Sequence, residues 1–143
     1  MEFGSKPWGR KKTIVSIGIF VMIGLFFVVM LIQGVQVHQD QSSIEISGGV
    51  FYSVDVPYTE INEVQLTTSI SFGTRKNGAA LFSYKFGHYV NSEYGSYKLF
   101  VKADVNKYIV INYGNQKTVV FNCKDEETTM QVYEKLLEQL MKA

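Results

Sequence analysis

Lys107-Tyr108-Ile109-Val110-Ile111-Asn112-Tyr113, then Gly114-Asn115, then Lys117-Thr118-Val119-Val120-Phe121 carry the strongest structural signal in the chain. Two β-branched and aromatic runs flank a pair of residues suited to a tight turn, which predicts an antiparallel hairpin. Directly afterwards the apolar period changes from two to about 3.6. Asp125 is placed to cap a helix, and Glu126 and Glu127 fall in its first turn, where the helix dipole favours acids. Met130, Tyr133, Leu136, Leu137 and Leu140 recur at helical spacing and give that helix one apolar face. A lone helix after a run of strands is expected to cover the sheet rather than to form a coiled coil or hold a cofactor.

Working back towards the N-terminus, the alternation continues. Ser43-Ile44-Glu45-Ile46-Ser47, the turn Gly48-Gly49 and the return run from Val50 to Val56 read as a hairpin closed by Pro57. Ile61, Val64 and Leu66 read as the inward side of a further strand, and Tyr97-Lys98-Leu99-Phe100-Val101 as another. Lys76-Asn77-Gly78 is a strong turn signal between Ile70-Ser71-Phe72 and Leu81-Phe82-Ser83-Tyr84. The stretch from Phe82 to Tyr97 is rich in tyrosine and broken by Gly87 and Gly95.

Residues 13–34 are a single uncharged apolar run. Rising about 1.5 Å per residue, such a run spans a hydrocarbon core of roughly 30 Å. It has no polar face, as lipid on every side requires. A cleaved signal peptide would have a shorter apolar centre and small residues at its end, so an uncleaved anchor is expected. No cysteine of the lipoprotein kind follows. Lys6, Arg10, Lys11 and Lys12 crowd in front of the run, which places the N-terminus in the cytoplasm and the bulk of the chain outside. The expected organisation is therefore a basic tail over 1–12, a transmembrane helix over 13–34, a short linker over 35–42 and one extracytoplasmic domain over 43–143. Residues 1–5 read equally as a cloning scar or as native sequence, and the fold is argued without them.

Composition excludes several classes. The 143 residues carry a net charge of +1, and outside the basic tail the chain is slightly acidic, a poor balance for nucleic acid. One cysteine, Cys123, allows no internal disulfide, and His38 and His88 are too few and too scattered for a usual metal site. No catalytic motif, phosphate loop or cysteine pair is present, so neither an enzyme nor a cofactor is expected. The absence of disulfides suits an extracytoplasmic domain of a Gram-positive bacterium.

Taken together, Ile44-Glu45-Ile46 before Gly48-Gly49, Val56-Pro57-Tyr58 with Ile61, Val64 and Leu66, Arg75-Lys76-Asn77-Gly78, Lys98-Leu99-Phe100-Val101, Ile109-Val110-Ile111, Thr118-Val119-Val120-Phe121-Asn122 and the helix after Asp125 resemble the bacterial pleckstrin-homology-like (PH-like) domains. The resemblance covers nearly everything from Val37 to Lys142. It implies a PH-like barrel or sandwich of six to seven antiparallel strands capped by a C-terminal α-helix. The best-known members bind phosphoinositides through basic residues in the first hairpin loop. Here Ser47-Gly48-Gly49-Val50-Phe51 holds no Lys or Arg, so no phosphoinositide is expected. The resemblance implies instead a platform that binds protein or peptide; fold alone does not settle function.

Candidate functional residues are correspondingly sparse. Tyr84, His88, Tyr89, Tyr94 and Tyr97 form the candidate partner surface, since tyrosine offers large contact area with a polar tip; core packing is the plainer reading. His88 lacks acidic or nucleophilic neighbours at catalytic spacing. Arg75 and Lys76 are read as a solvated turn, with lipid phosphates as the alternative contact. Cys123, beside Lys124, is read as a small semi-buried residue, with a slightly lowered thiol pKa as the alternative. The expected function is a membrane-anchored extracytoplasmic binding or scaffolding module. Its partners would be membrane lipid, through the anchor, and another membrane or envelope protein. The alternative is a protective, immunity or sensing protein at the outer leaflet, acting against membrane-active peptides.

Overall fold

A computed structural model describes residues 8–143, so the expectations for residues 1–5 and for Lys6 lie outside the described residues. The first helix, α1 (Trp8–Ile32), starts within the basic cluster. Its span Gly9–Val29 is long and apolar enough to cross a membrane, and none of its most apolar window is buried against the rest of the chain. A core helix of a soluble domain would be covered there.

Only Gln33 and Gly34 separate α1 from β1 (Val35–Gln39). This corrects the expected linker over 35–42. Val35 and Val37 alternate with Gln36 and His38, and both valines pack on the core as the strand pairs antiparallel with β2 (Ser43–Gly48). Asp40 turns the chain between them by accepting from the backbone N–H groups of Ser42 (2.7 Å) and Ser43 (2.8 Å). These bonds hold its carboxyl below the usual carboxylate range. β3 (Tyr52–Pro57) completes a three-stranded sheet in the order β1-β2-β3.

The remaining strands are β4 (Ile61–Thr67), β5 (Thr74–Leu81), β6 (Tyr84–Asn91), β7 (Gly95–Lys102), β8 (Tyr108–Tyr113) and β9 (Lys117–Phe121). They make a six-stranded sheet in the order β4-β8-β9-β7-β6-β5. The expected order of an apolar helix, a mainly β domain and a closing helix is the order found. The strand number differs: the described residues hold nine, and β7 pairs with β9 in parallel, at Lys98↔Val119, Leu99↔Val120 and Phe100↔Phe121.

The turn expected at Lys76-Asn77-Gly78 is also corrected. β5 runs through it, with a register shift between Arg75 and Asn77, and the chain reverses at Phe82-Ser83 instead. Gly78 (φ 141°) faces Gly87 (φ 131°) across β5 and β6, and a Cβ on either would overlap the opposing backbone. The glycine that looked like a turn residue serves a close backbone approach.

Two cores result. The first lies between the two sheets and α2 (Glu126–Lys142), with Ile44, Ile46, Phe100, Ile111, Phe121 and Leu136 at its centre. The second lies on the opposite face of the six-stranded sheet, where Leu99, Val101, Val110 and Val120 are covered by Ile70 and Phe72 from the β4–β5 connection. Asp125 caps α2 as expected, accepting from the Thr128 N–H at 2.6 Å. The face of α2 that meets the core holds Val132, Tyr133, Leu136 and Leu140, while Leu137 is 36% exposed, so the buried stripe is displaced slightly from the expected one.

Candidate functional site

Strand alternation divides the five expected partner residues between two faces. Tyr84 and His88 point to one side of β6 and Tyr89 to the other, where Tyr97 stands opposite it on β7. Tyr89 and Tyr97 are 4% and 2% exposed and belong to the second core. Tyr94 meets Tyr97 edge-on with ring centroids 5.4 Å apart. The Tyr97 hydroxyl donates to the Phe72 carbonyl at 2.7 Å. Burial, with Tyr89 and Tyr94 adding to it, pushes that phenol far above the usual range, so it remains a donor. Tyr84 stacks on Phe86 (5.8 Å) against the first core. A surface made of all five is therefore not formed, and for Tyr89 and Tyr97 the core reading replaces it. Of the five, only His88 is exposed.

Arg75 and Lys76 are exposed on β5 rather than at a hairpin tip. Burial raises the Tyr89 phenol above its ordinary value, and the hydrogen-bonded Arg75 guanidinium beside it opposes that rise. Arg75 thus has a local partner already. Arg10, Lys11 and Lys12 lie exposed in the first turns of α1. Cys123 is buried, and burial pushes its thiol up to about 11, the reverse of the lowered value weighed from its neighbour Lys124.

The opening in the sheet comes from its parallel junction. Its far end is closed by Asn122, which is fully buried. The Asn122 Oδ1 accepts from the Lys102 N–H (2.7 Å), and its Nδ2 donates to the carbonyls of Lys102 (3.0 Å) and Val105 (3.1 Å). The side-chain amide thus continues the ladder where β9 ends. At the near end nothing replaces the ladder. Pairing begins at Lys98↔Val119, so Gly95-Ser96-Tyr97 and Lys117-Thr118 diverge.

A cleft of about 240 Å³ occupies this divergence, lined by His88, Ser96, Tyr97, Lys98, Tyr113, Gln116, Lys117 and Thr118. It contains two lysines and no carboxylate. Lys98 stands opposite His88 on the paired strands, and the Lys117 Nζ lies 5.9 Å from the Tyr113 ring centroid. The Thr118 hydroxyl is committed to Asn112 Oδ1 at 2.9 Å. His88 and Lys98 also border a smaller depression of about 110 Å³ beside Phe51 and Tyr52, so the cationic strip runs on towards the β2–β3 tip. A second cleft on the other side of the β8–β9 turn, about 340 Å³, is lined by Asn62, Gln65, Glu93 and Tyr94 together with residues of that turn. Among the described residues no group of His, Cys, Asp and Glu could hold a metal ion.

Lys98, Ser96, Gln116 and Lys117 escaped the sequence reading. Nothing local marks them, because the cleft exists only through a pairing between strands not adjacent in the chain. The polar Asn122 closing an apolar strand was the one available sign, since a buried amide needs partners.

The result is a mostly β domain closed by one helix, with a cleft of polar and cationic groups at the junction of two strands. Residues 35–137 match the family described as Bacterial PH domain, and the chain belongs to that family. No curated protein and no solved structure matches it.

Proposed function

We propose that the chain is a membrane-anchored, extracytoplasmic binding module that associates with another membrane or cell-envelope protein through the cleft at the β7–β9 junction. The observation that carries this reading is the splayed junction itself. Two diverging strand ends offer backbone groups to an extended segment, and Lys98, Lys117 and His88 favour an acidic one. Membership of a family whose domains are typically non-catalytic binding modules supports it. The uncovered apolar span of α1 supports the anchor, and Arg10, Lys11 and Lys12 at its start support an internal N-terminus.

The test is site-specific photo-crosslinking in intact cells from Ser96 or Gln116, with Glu127 on α2 as the control position. One membrane or envelope protein should be recovered from the cleft positions and not from Glu127. The double reversal Lys98→Glu/Lys117→Glu should cut that recovery at least tenfold while leaving the fold intact. Equal recovery from all positions, or none lost on charge reversal, would exclude the cleft. External protease that fails to reach the domain in intact cells would exclude the orientation.

A further inference from the structure

We infer that two hairpin tips, Val50-Phe51 between β2 and β3 and Phe82 between β5 and β6, insert into the interface of the bilayer that α1 crosses. They would hold the domain in one orientation on the lipid surface. The inference rests on the reading of α1 as a membrane anchor.

Phe51 is 83% exposed, Phe82 85% and Val50 47%. Outside α1, the other exposed large apolar side chains among the described residues are Leu137 and Met141 on α2. Lone exposed apolar residues need no explanation, but two solvent-facing phenylalanines at hairpin tips beside a membrane helix do.

Their position follows from the helix exit. The Gly49 N–H donates to the Gln33 carbonyl at 3.2 Å, which fastens the β2–β3 turn to the end of α1. Gly34 lies so close to Tyr84 that a Cβ there would come within 2.6 Å of the ring. Tyr84 opens β6 directly after the Phe82-Ser83 turn. Phe51 sits two positions along the chain from Gly49, within about 7 Å of chain reach, and Phe82 two positions from Tyr84, whose ring reaches Gly34.

Depth agrees. The uncharged part of the helix, residues 13–32, measures about 30 Å, the thickness of the hydrocarbon core. The few residues left before β1 keep the exit at headgroup level, where apolar side chains bury roughly 5–10 Å deep. Neither tip carries a charge: residues 49–53 are Gly, Val, Phe, Tyr and Ser, and the other turn is Phe82-Ser83.

Backbone conformation adds a second, independent observation. Phe82 has φ 54°, a region that glycine or asparagine adopts readily and that a bulky side chain occupies only under strain. A phenylalanine held there and left exposed gains nothing inside the domain. Burial in lipid supplies the compensation.

The full chain has one tryptophan, Trp8, so tryptophan fluorescence can report depth. In a Trp8→Phe background, Phe51→Trp, Phe82→Trp and Asn115→Trp would be reconstituted in liposomes of phosphatidylcholine and phosphatidylglycerol. Asn115, in the β8–β9 turn, lies roughly 20 Å further along the sheet from Tyr84. Lipid brominated near the carbonyl should quench positions 51 and 82 at least twofold more than position 115. Equal quenching at all three, in chain that resists carbonate extraction, would overturn tip insertion while leaving the anchor in place. Chain that carbonate extracts would overturn the anchor itself, and the insertion with it. As a cross-check without new aromatic residues, Phe51→Asp/Phe82→Asp should stay carbonate-resistant but expose the β2–β3 turn to protease several-fold faster. Unchanged cleavage would count against the proposal.

Discussion

The two faces of the six-stranded sheet are both apolar, yet they are covered in different ways. On one face Phe100, Ile109, Ile111 and Phe121 meet a second sheet and the helix α2, two regular elements with many apolar side chains. On the other, Leu99, Val101, Val110 and Val120 are buried beneath a short irregular strap carrying Ile70 and Phe72, with the tyrosines 89, 94, 97 and 108 filling the margin. A strap can do this because the tyrosines are amphipathic. Their rings exclude water, and a hydroxyl such as that of Tyr97 satisfies a strap carbonyl that would otherwise be buried without a partner. The contrast shows why a tyrosine-rich stretch resembled an interface. The same property that suits tyrosine to a partner suits it to a thinly covered core.

Three substitutions test this contrast. The largest effect is expected on the doubly covered face: Leu136→Ala, at a fully buried site, should lower stability by about 2–5 kcal/mol in a denaturant titration of the chain in detergent. Near-neutral behaviour would mean that α2 does not seal that core. On the strapped face Tyr97→Phe should cost about 1 kcal/mol and speed amide exchange in residues 68–73 more than in α2. Uniform exchange would show that the strap is not held by this hydroxyl. The smallest effect concerns the capped start of α2. The Thr128 hydrogen bonds hold the Asp125 carboxyl below its ordinary value of 3.8. A depressed folded-state pKa contributes stability above the unfolded value and loses it as pH falls through the folded one. Asp125→Asn should therefore melt slightly below the parent at neutral pH, and the gap should close on acidification below 3.8. A gap that widens in acid would refute the cap.

Much of the fold was legible because its signals are local. The β2–β3 and β8–β9 hairpins follow from alternation and turn residues, and α2 follows from its cap and its spacing of apolar positions. β1 was missed because five residues between a helix and a turn look like a spacer until β2 supplies a partner. Lys76-Asn77-Gly78 was misread because glycine has two uses, a turn or a close backbone approach, and the choice depends on Gly87 across the ladder. Of the candidate surface, His88 and Tyr97 border the cleft, while register buries Tyr89 and most of Tyr97 in the second core.

An apolar helix able to cross a bilayer, a chain of short alternating strands and one amphipathic closing helix follow from the order of residues alone. Each is a property of periodicity within a few consecutive residues. The three-dimensional fold was needed to show that β9 lies parallel to β7, that Asn122 closes one end of that junction and that Lys98 and Lys117 border the open end. It alone decided, too, that Gly49 and Tyr84 meet the chain where it leaves α1. Those relations join residues far apart in the chain, where pairing and packing rather than local pattern select the neighbour.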